Sequence, residues 1–528
     1  MAKKKIVVCD AIHEAGFKLL RKEEDVEVID ASKEPKDKLL DIIADADVVI
    51  TRSPTEVGEA FLNAVKNLKA IVRAGVGVDN VDIEGCSKKG IIVMNVPTAN
   101  TIAAVELTMA HMLSCARSFP YAHNDLKQNR IWNREKWYGI ELSGKKLGII
   151  GFGNIGSRVG VRALAFGMDV ITYDPYIPSS KATDLGVKYT TNFDDILECD
   201  FITIHTPKTK ETVDMISYEE IEKMKDGVIL INCARGGLYN EDALYDALKK
   251  GKVRFAGIDV FAKEPAVDNK LLDLDNITVT PHLGANTYES QRKIATQAAE
   301  AAISALRGTS YPNALNLPIK EGEIPEFVKP FVELIQKMSY LAAQINKHPI
   351  SSIKLIGEGE IADYLNQLKT FAIVGALKES LGEQVNYVNA EFIAKEKDIE
   401  VKTQKQPNMS AFKNRVTVKM VTNSGVTKIS GTVFSENIQR IVEINNIKLD
   451  IEPKGKMIIF ENKDVPGVIA QIATILSNHN INIADFRLGR DDKDLALAVI
   501  LVDQSVPKEV IKELENLESC IWVAYAVI

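Results

Sequence analysis

Arg235, Glu264 and His282 each stand just past a short apolar run, in INCARGG, GIDVFAKEP and VTPHLGAN. An imidazole titrates nearest neutrality and can take a proton from an alcohol. A carboxylate beside it would stabilise the imidazolium and fix its orientation. The guanidinium is flanked by alanine and two glycines, so no bulky neighbour shields it, and it is costly to hold there unpaired. Its fork fits a carboxylate with two parallel N–H bonds and could polarise the adjacent C2 oxygen. Together the three suit hydride removal from a 2-hydroxy acid. Each alone has a plainer reading, since an arginine at a strand end is usually a salt bridge and a lone histidine usually a packed loop residue. His205, in TIHTP, is read in that plainer way, as structural beside the cofactor.

The hydride acceptor is read from KKLGIIGFGNIG. Gly151, Gly153 and Gly156 follow an apolar run and precede a helical pattern. Gly151 allows a tight turn, Gly153 lets backbone approach a pyrophosphate, and Gly156 lets helix pack on strand, with free helix N–H groups offered to phosphate. Eighteen residues after Gly156 comes Asp174, in VITYDPY. An aspartate there accepts hydrogen bonds from both ribose hydroxyls and repels a 2′-phosphate. None of the next six residues is arginine or lysine. NAD is therefore expected rather than NADP.

These residues need strand ends to stand on. IVVCD, VEVID, DVVI, KAIVRAG and IIVMN alternate with helical segments over residues 1–98, which predicts a parallel sheet covered by helices. A long helical stretch, TIAAVELTMAHMLSCARS, leads to a second series: KKLGIIG, MDVITYD, FITIHTP, GVILINC, FAGIDV and ITVTP. In such doubly wound sheets the carboxyl ends of the strands border the ligand crevice. Residues 284–308 form an Ala-rich helical pattern, and a Pro-containing linker follows. Residues 317–452 are mixed α+β: FVKPFVELIQKMSYLAAQ and DYLNQLKTFAIVGALKESLG are helical, while RVTVKMVT, VTKISGTVF and NNIKLDIE alternate like half-exposed strands. The last 74 residues parse as βαββαβ, a ferredoxin-like split.

The bulk numbers agree with a globular protein of several domains. The 528 residues are 46% hydrophobic and 26% charged, with a net charge of −7. An acidic balance argues against nucleic-acid or anionic-membrane partners. The six cysteines are scattered singly, so neither a zinc site nor a disulfide framework is indicated. The apolar run after MAKKK is too short for a signal peptide, and a cytoplasmic protein is expected.

GFGNIG, NCARGG, DVFAKEP and TPHLGANT, with TRSPTEV, RAGVGVDNVD and NVPTANTIAAVEL upstream, resemble the D-isomer-specific 2-hydroxyacid dehydrogenases over residues 1–316. With its tail, the whole chain resembles the long-form D-3-phosphoglycerate dehydrogenases. The resemblance implies a catalytic triad of Arg235, Glu264 and His282. It implies cofactor contacts from Asn154, Ile155, Thr206, Cys233, Ala234, Arg235, Asp259, His282 and Gly284, beside the glycines and Asp174. It also implies two Rossmann-like domains: residues 1–98 with 284–316 for substrate, and 99–283 for NAD. An intervening regulatory domain over 317–452 and an ACT domain over 455–528 would follow. The implied reaction is oxidation of 3-phosphoglycerate to 3-phosphohydroxypyruvate by a homo-oligomer, dimer or tetramer, at the start of serine synthesis. Dehydrogenation of another D-2-hydroxy acid, and a non-catalytic NAD-sensing protein, remain alternatives.

A phosphorylated substrate needs cations on the first domain's side of the cleft. VVITRSP puts Arg52 and Ser53 after a strand, and IVRAGVG puts Arg73 at the end of another, with backbone N–H groups open at Gly75 and Gly77. NREKW, residues 133–137, is a lesser candidate. In the tail, ENKDVPGVIAQI resembles the strand–loop–helix entry of ACT domains, which usually pair side by side and bind amino acids at the joint. Asn462, Asp464 and Asn482 are the expected effector contacts, with L-serine as the effector.

Overall fold

The apolar runs that open the chain become a parallel sheet in the computed structural model, which describes residues 3–319, 322–407, 411–435, 438–491 and 494–528. Strands β1 (Lys4–Val8), β2 (Val26–Asp30), β3 (Val48–Thr51), β4 (Ala70–Arg73) and β5 (Ile92–Asn95) are ordered β2-β1-β3-β4-β5. β3 and β5 are buried along their whole length. A sheet covered on both faces requires such continuous apolar runs rather than alternation. The helix Tyr288–Arg307 returns to this sheet after the whole second sheet has intervened in sequence. Its Ala298, Ala299 and Ala302 let the helix pack closely, in one core with Ile6, Val8, Ile50 and Val72. Thr287 caps its start by accepting from Ser290 N, and Gly308 ends it at φ +69°.

The second sheet holds β6 (Lys146–Ile150), β7 (Asp169–Tyr173), β8 (Lys188–Thr190), β9 (Phe201–Ile204), β10 (Val228–Asn232), β11 (Val253–Ile258) and β12 (Ile277–Val279), in the order β12-β11-β10-β9-β6-β7-β8. The strand order reverses between β6 and β9, and a crevice opens beyond the carboxyl ends at such a point. β8 is an addition to the expected strands. It is a three-residue edge strand, KYT, too short and too polar to register as an apolar run. The helix Thr101–Arg117 lies on β10 and β11.

A mixed sheet follows, ordered β14-β13-β15-β16-β17-β18. Its strands are β13 (Ile350–Glu358), β14 (Glu400–Gln406), β15 (Arg415–Thr422), β16 (Gly425–Phe434), β17 (Ile438–Ile444) and β18 (Ile447–Ile451). β14 joins β13 in parallel; the other pairings are antiparallel. The expected strands correspond to β15, β16 and β18. Of the others, β14 (EVKTQKQ) is a mostly exposed edge whose polar composition hides it.

The tail forms β19 (Lys456–Lys463), β20 (Ile483–Arg490), β21 (Leu495–Val502) and β22 (Cys520–Val527), ordered β20-β21-β19-β22 and antiparallel, as the βαββαβ pattern requires. Ile458, Phe460 and Ile500 point to one face, under the helices Val468–Asn478 and Lys508–Glu515. The opposite face is not free. Met457, Ile459, Leu497, Val499 and Ala526 enter one core with Leu334, Met338 and Leu341 of the helix Lys329–Ile345. Gln344, on that helix, accepts from Val527 N at 3.0 Å and donates to Val527 O at 3.1 Å, standing in for a neighbouring strand. The sequence patterns separate residues 317–452 from 455–528, but in the structure the two regions share one core.

Candidate active site

The glycine-rich turn after β6 is shaped by what lies against it. Gly151 has φ +88°, and a side chain there would meet His205 O at 2.7 Å. A Cβ on Gly156 would collide with Gly151 O, whereas one on Gly153 would meet nothing within 4 Å. The middle glycine therefore faces open space, as close approach by a pyrophosphate requires. Asn154 and Ile155 complete the turn, and the helix Gly156–Ala165 starts there. Asp174, just beyond β7, accepts from Phe152 N at 2.8 Å and from Tyr176 N at 2.9 Å. The turn and the acid thus hold each other in place. Thr206 Oγ1 is buried beside Gly151 with no partner among the described residues. An open cradle, a positioned acid and an orphaned hydroxyl fit a dinucleotide. His205 bonds Thr203 Oγ1 at 3.0 Å, and burial pushes its imidazole down to about 3, so it stays neutral.

Past β10, Asn232 pins the loop that carries Cys233, Ala234 and Arg235. Its amide accepts from Ala234 N at 3.0 Å and donates to Arg235 O at 2.9 Å. Cys233 and Ala234 are buried, and burial followed by the nearby Asp259 charge pushes the Cys233 thiol well up. The Arg235 guanidinium donates to Ala234 O at 2.7 Å and lies 3.4 Å from Asp79 Oδ2, on the loop after β4. It also presses on Gly77, where a Cβ would lie 2.6 Å from Nη2. The arginine therefore spans the cleft between the two sheets.

Past β11 and β12, Glu264 Oε2 lies 2.8 Å from His282 Nδ1, and Glu264 Oε1 accepts from Phe261 N at 3.1 Å. Burial works against the Glu264 charge, but the hydrogen bonds from His282 and Phe261 outweigh it and hold the carboxyl below its usual range. His282 has φ +54°, a left-handed conformation fixed by bonds from its N–H to Asp259 O at 2.9 Å and Thr280 O at 3.0 Å. The fully buried Asp259 accepts from Leu283 N at 2.6 Å and Gly284 N at 2.9 Å. Burial raises its pKa, partly offset by these bonds and one from Thr280.

A cleft of about 420 Å³ joins these groups to the first sheet. Arg52, Ser53, Arg73 and Gly75 line it together with Arg235, Glu264 and His282, but the Gly75 N–H is not open as expected, since the chain turns back on itself and it donates to Arg73 O at 2.8 Å. Arg73 donates to Ser53 Oγ at 2.7 Å, but its buried Nε has no partner among the described residues. Burial, and then the like charges of Arg235 and Arg52, lower the Arg73 guanidinium to about 10. Arg52 is anchored through its backbone N–H to Asp10 Oδ2 at 2.5 Å and through its guanidinium to Ala11 O at 2.9 Å. Three guanidiniums that repel one another form a site that a multiply charged anion would relieve. Asp79, Asn80 and Asn100 also line the cleft and escaped the sequence reading; Asn100 Oδ1 is buried without a partner among the described residues. Only the run AGVGVDN hinted at the first two. Residues 133–137 do not line this cleft; Lys136 and Trp137 bond Asp125 instead.

The expected effector contacts are not gathered within one chain. Asn462 is buried near the end of β19, and Asp464, just beyond, pairs with Arg490 at 3.2 Å. Asn482 precedes β20 at the opposite end of the sheet, where its amide donates to Asp503 at 2.6 Å. Most of the length of β19, roughly 20 Å at ~3.3 Å per residue, separates them. Strand direction thus puts Asn462 and Asp464 at one end of the sheet and Asn482 at the other.

Comparison with known proteins identifies three segments. Residues 109–284 match the NAD-binding domain of D-isomer specific 2-hydroxyacid dehydrogenases, 327–445 the D-3-phosphoglycerate dehydrogenase intervening domain, and 456–519 the ACT domain. D-3-phosphoglycerate dehydrogenase of Methanocaldococcus jannaschii is 39% identical over 97% of this chain and 98% of its own. The Bacillus subtilis protein of the same name is 37% identical over 98% of each. Among solved structures, Aquifex aeolicus D-lactate dehydrogenase, complexed with NAD and lactic acid, is 31% identical with a TM-score of 0.52, over 58% of this chain and 96% of that one.

Proposed function

The chain belongs to the D-3-phosphoglycerate dehydrogenase family, and we propose from that premise how its cleft works. The enzyme oxidises 3-phospho-D-glycerate to 3-phosphohydroxypyruvate with NAD, the first step of the phosphorylated route to L-serine. The observation that carries the substrate reading is the set of three guanidiniums, Arg52, Arg73 and Arg235, in one cleft with the His282–Glu264 pair.

NAD, held at the Gly151–Gly156 turn and Asp174, would supply the acceptor for the C2 hydride. The residues of the chain do the rest. Arg235 holds the substrate carboxylate through its fork and draws charge from the C2 oxygen. Arg52, Arg73 and Ser53 take the phosphate. Nδ1 of His282 is engaged by Glu264, so Nε2 receives the hydroxyl proton. The neighbouring carboxylate stabilises the imidazolium that results. In the reverse direction His282 returns that proton.

NADH oxidation with 3-phosphohydroxypyruvate tests this reading against hydroxypyruvate, glyoxylate and 2-oxoglutarate. A clear preference in kcat/KM for the phosphorylated acid is expected. Equal turnover of hydroxypyruvate would remove the phosphate role from Arg52 and Arg73.

L-serine is the proposed effector at the ACT region. Because one chain holds Asn482 away from Asn462 and Asp464, the proposed site takes Asn482 from a second copy, in a homo-oligomer that is a dimer or a tetramer. Serine titration of the activity, paired with sedimentation, tests both statements. Inhibition that persists unchanged in Asn482→Ala would place the effector elsewhere.

A further inference from the structure

His111 is buried in the middle of the helix Thr101–Arg117, away from the cleft lining, and both of its ring nitrogens are occupied. Nδ1 lies 2.9 Å from Thr278 Oγ1 and Nε2 lies 2.8 Å from Thr280 Oγ1. Thr280 donates in turn to Asp259 Oδ1 at 2.6 Å, and Cys115 Sγ lies 3.4 Å from Thr278 Oγ1. The backbone leaves room for the ring. Gly257 on β11 sits directly under it, where a Cβ would lie 2.9 Å from His111 Cβ and 3.1 Å from Nδ1.

The donors and acceptors in this chain can be ordered. The Thr280 hydroxyl has one proton and gives it to the Asp259 carboxylate, so it accepts from His111 and Nε2 carries the hydrogen. Burial pushes the imidazole down to about 4, so it is neutral near pH 7 and Nδ1 is bare. Nδ1 therefore accepts from Thr278, and the Thr278 oxygen takes the Cys115 S–H. All hydrogens point the same way, from the helix toward Asp259. Asp259 is the carboxylate that binds the Leu283 and Gly284 N–H groups, and its own carbonyl holds His282 N in the left-handed turn.

We propose that His111 is a positioning residue for the dehydrogenation: through its Nε2–H and Thr280 it fixes the Asp259 carboxylate, and through Asp259 the turn that presents His282 and Gly284 to substrate and cofactor. The proposal rests on the catalytic reading of His282 given above. It makes a demand that simple filling of space does not. One nitrogen position matters more than the other, because only Nε2 leads to Asp259.

Glutamine and asparagine separate the two positions. The His111→Gln amide can reach the Nε2 position and donate to Thr280. The His111→Asn amide reaches only the Nδ1 position, and His111→Leu fills space without a donor. His111→Gln is expected to hold kcat within about threefold of wild type, the worth of one adjusted neutral hydrogen bond. His111→Asn and His111→Leu are expected to lose roughly 10–100-fold in kcat, the scale of a slightly misplaced reacting group, with KM for 3-phosphoglycerate little changed. Thr280→Val should lose as much, and the double variant His111→Leu/Thr280→Val no more than either single.

Amide hydrogen exchange at Leu283 and Gly284 gives a readout that needs no turnover. It should quicken in the Asn and Leu variants and stay near wild type in Gln. Equal behaviour of Gln and Asn in both readouts, or wild-type kcat and exchange in His111→Leu, would overturn the proposal. Failure of the wild type to turn over 3-phosphoglycerate would strike the functional reading instead, and the exchange pattern would still decide the role of His111.

Discussion

Glu264 Oε2 lies 2.8 Å from Nδ1 of His282, with the two side chains 37% and 46% exposed. The pair is open to solvent and close enough for each group to govern the other. Glu264→Gln keeps size and one oxygen but removes the charge that stabilises the imidazolium. In the oxidation direction the base must be neutral, so the acidic limb of kcat/KM should move to lower pH. In the reduction direction His282 must carry its proton, so activity should fade at a lower pH than in wild type. His282→Asn should remove the limb and cost about 10²–10⁴-fold, the usual worth of general acid–base assistance. Because the folded Glu264 value is lowered, the pair's contribution to stability is full above the ordinary carboxylate range and is lost as pH falls through the folded value. pH–rate series in both directions check this. Superimposable limbs in wild type and Glu264→Gln would dissolve the pair as a functional unit.

Arg235 donates to Ala234 O and approaches Asp79 across the cleft, and Asp79 is 61% exposed. A screened, exposed carboxylate is a weak partner that a substrate carboxylate can displace or share. Arg235→Lys keeps the charge and loses the fork. The expected loss in kcat/KM is roughly 10²-fold or more, on the scale of one oxyanion donor, with NAD affinity nearly unchanged. Steady-state kinetics and NAD titration check it; near-normal turnover would leave the arginine a structural role only.

That Arg235, Glu264 and His282 meet could be read from the sequence because each follows a largely apolar strand, and strand ends of a doubly wound sheet face one crevice. Arg73 and Ser53 could be placed on the same logic, and their 2.7 Å contact joins two neighbouring strand ends. What stayed hidden depends on partners far apart in the chain. Nothing in ELTMAHML shows that His111 meets Thr278 and Thr280, since that contact needs the glycine at 257 to bring β11 under the helix. The separation of Asn482 from Asn462 and Asp464 was hidden for a related reason: residue types suggest a ligand, but strand direction decides which end of the sheet they occupy. The short or polar edge strands β8 and β14 were missed because their composition follows solvent rather than core.

Asp174 accepts from Phe152 N as well as facing the expected ribose. Asp174→Ala removes a charged acceptor from both, and NAD affinity should fall about tenfold or more. NADP should gain little, because no cation among the next six residues meets a 2′-phosphate. Asp174→Asn, which keeps an acceptor for Phe152 N, separates the loop effect from the ribose effect and should fall between the two. Fluorescence titration with NADH and NADPH measures all three proteins. A wild type that prefers NADPH would sink the assignment.

Leu497 is fully buried on β21, on the sheet face turned away from the tail's own helices. It lies in one core with Leu334, Met338 and Leu341, so the mixed sheet and the tail bury apolar surface against each other. Two units with separate cores could unfold one at a time, whereas a shared core ties their unfolding together. Leu497→Ala should cost about 2–5 kcal/mol, the range for emptying a packed leucine site. If the core acts as one unit, that loss appears equally in β21 and in β15, although β15 lies in the other sheet. Native-state hydrogen exchange gives the comparison directly, as the opening free energies of amides in the two strands in wild type and variant. Equal drops are expected. A β15 that keeps its protection while β21 loses it would mean that the tail opens alone, and that an effector bound there could not act on the mixed sheet through this core.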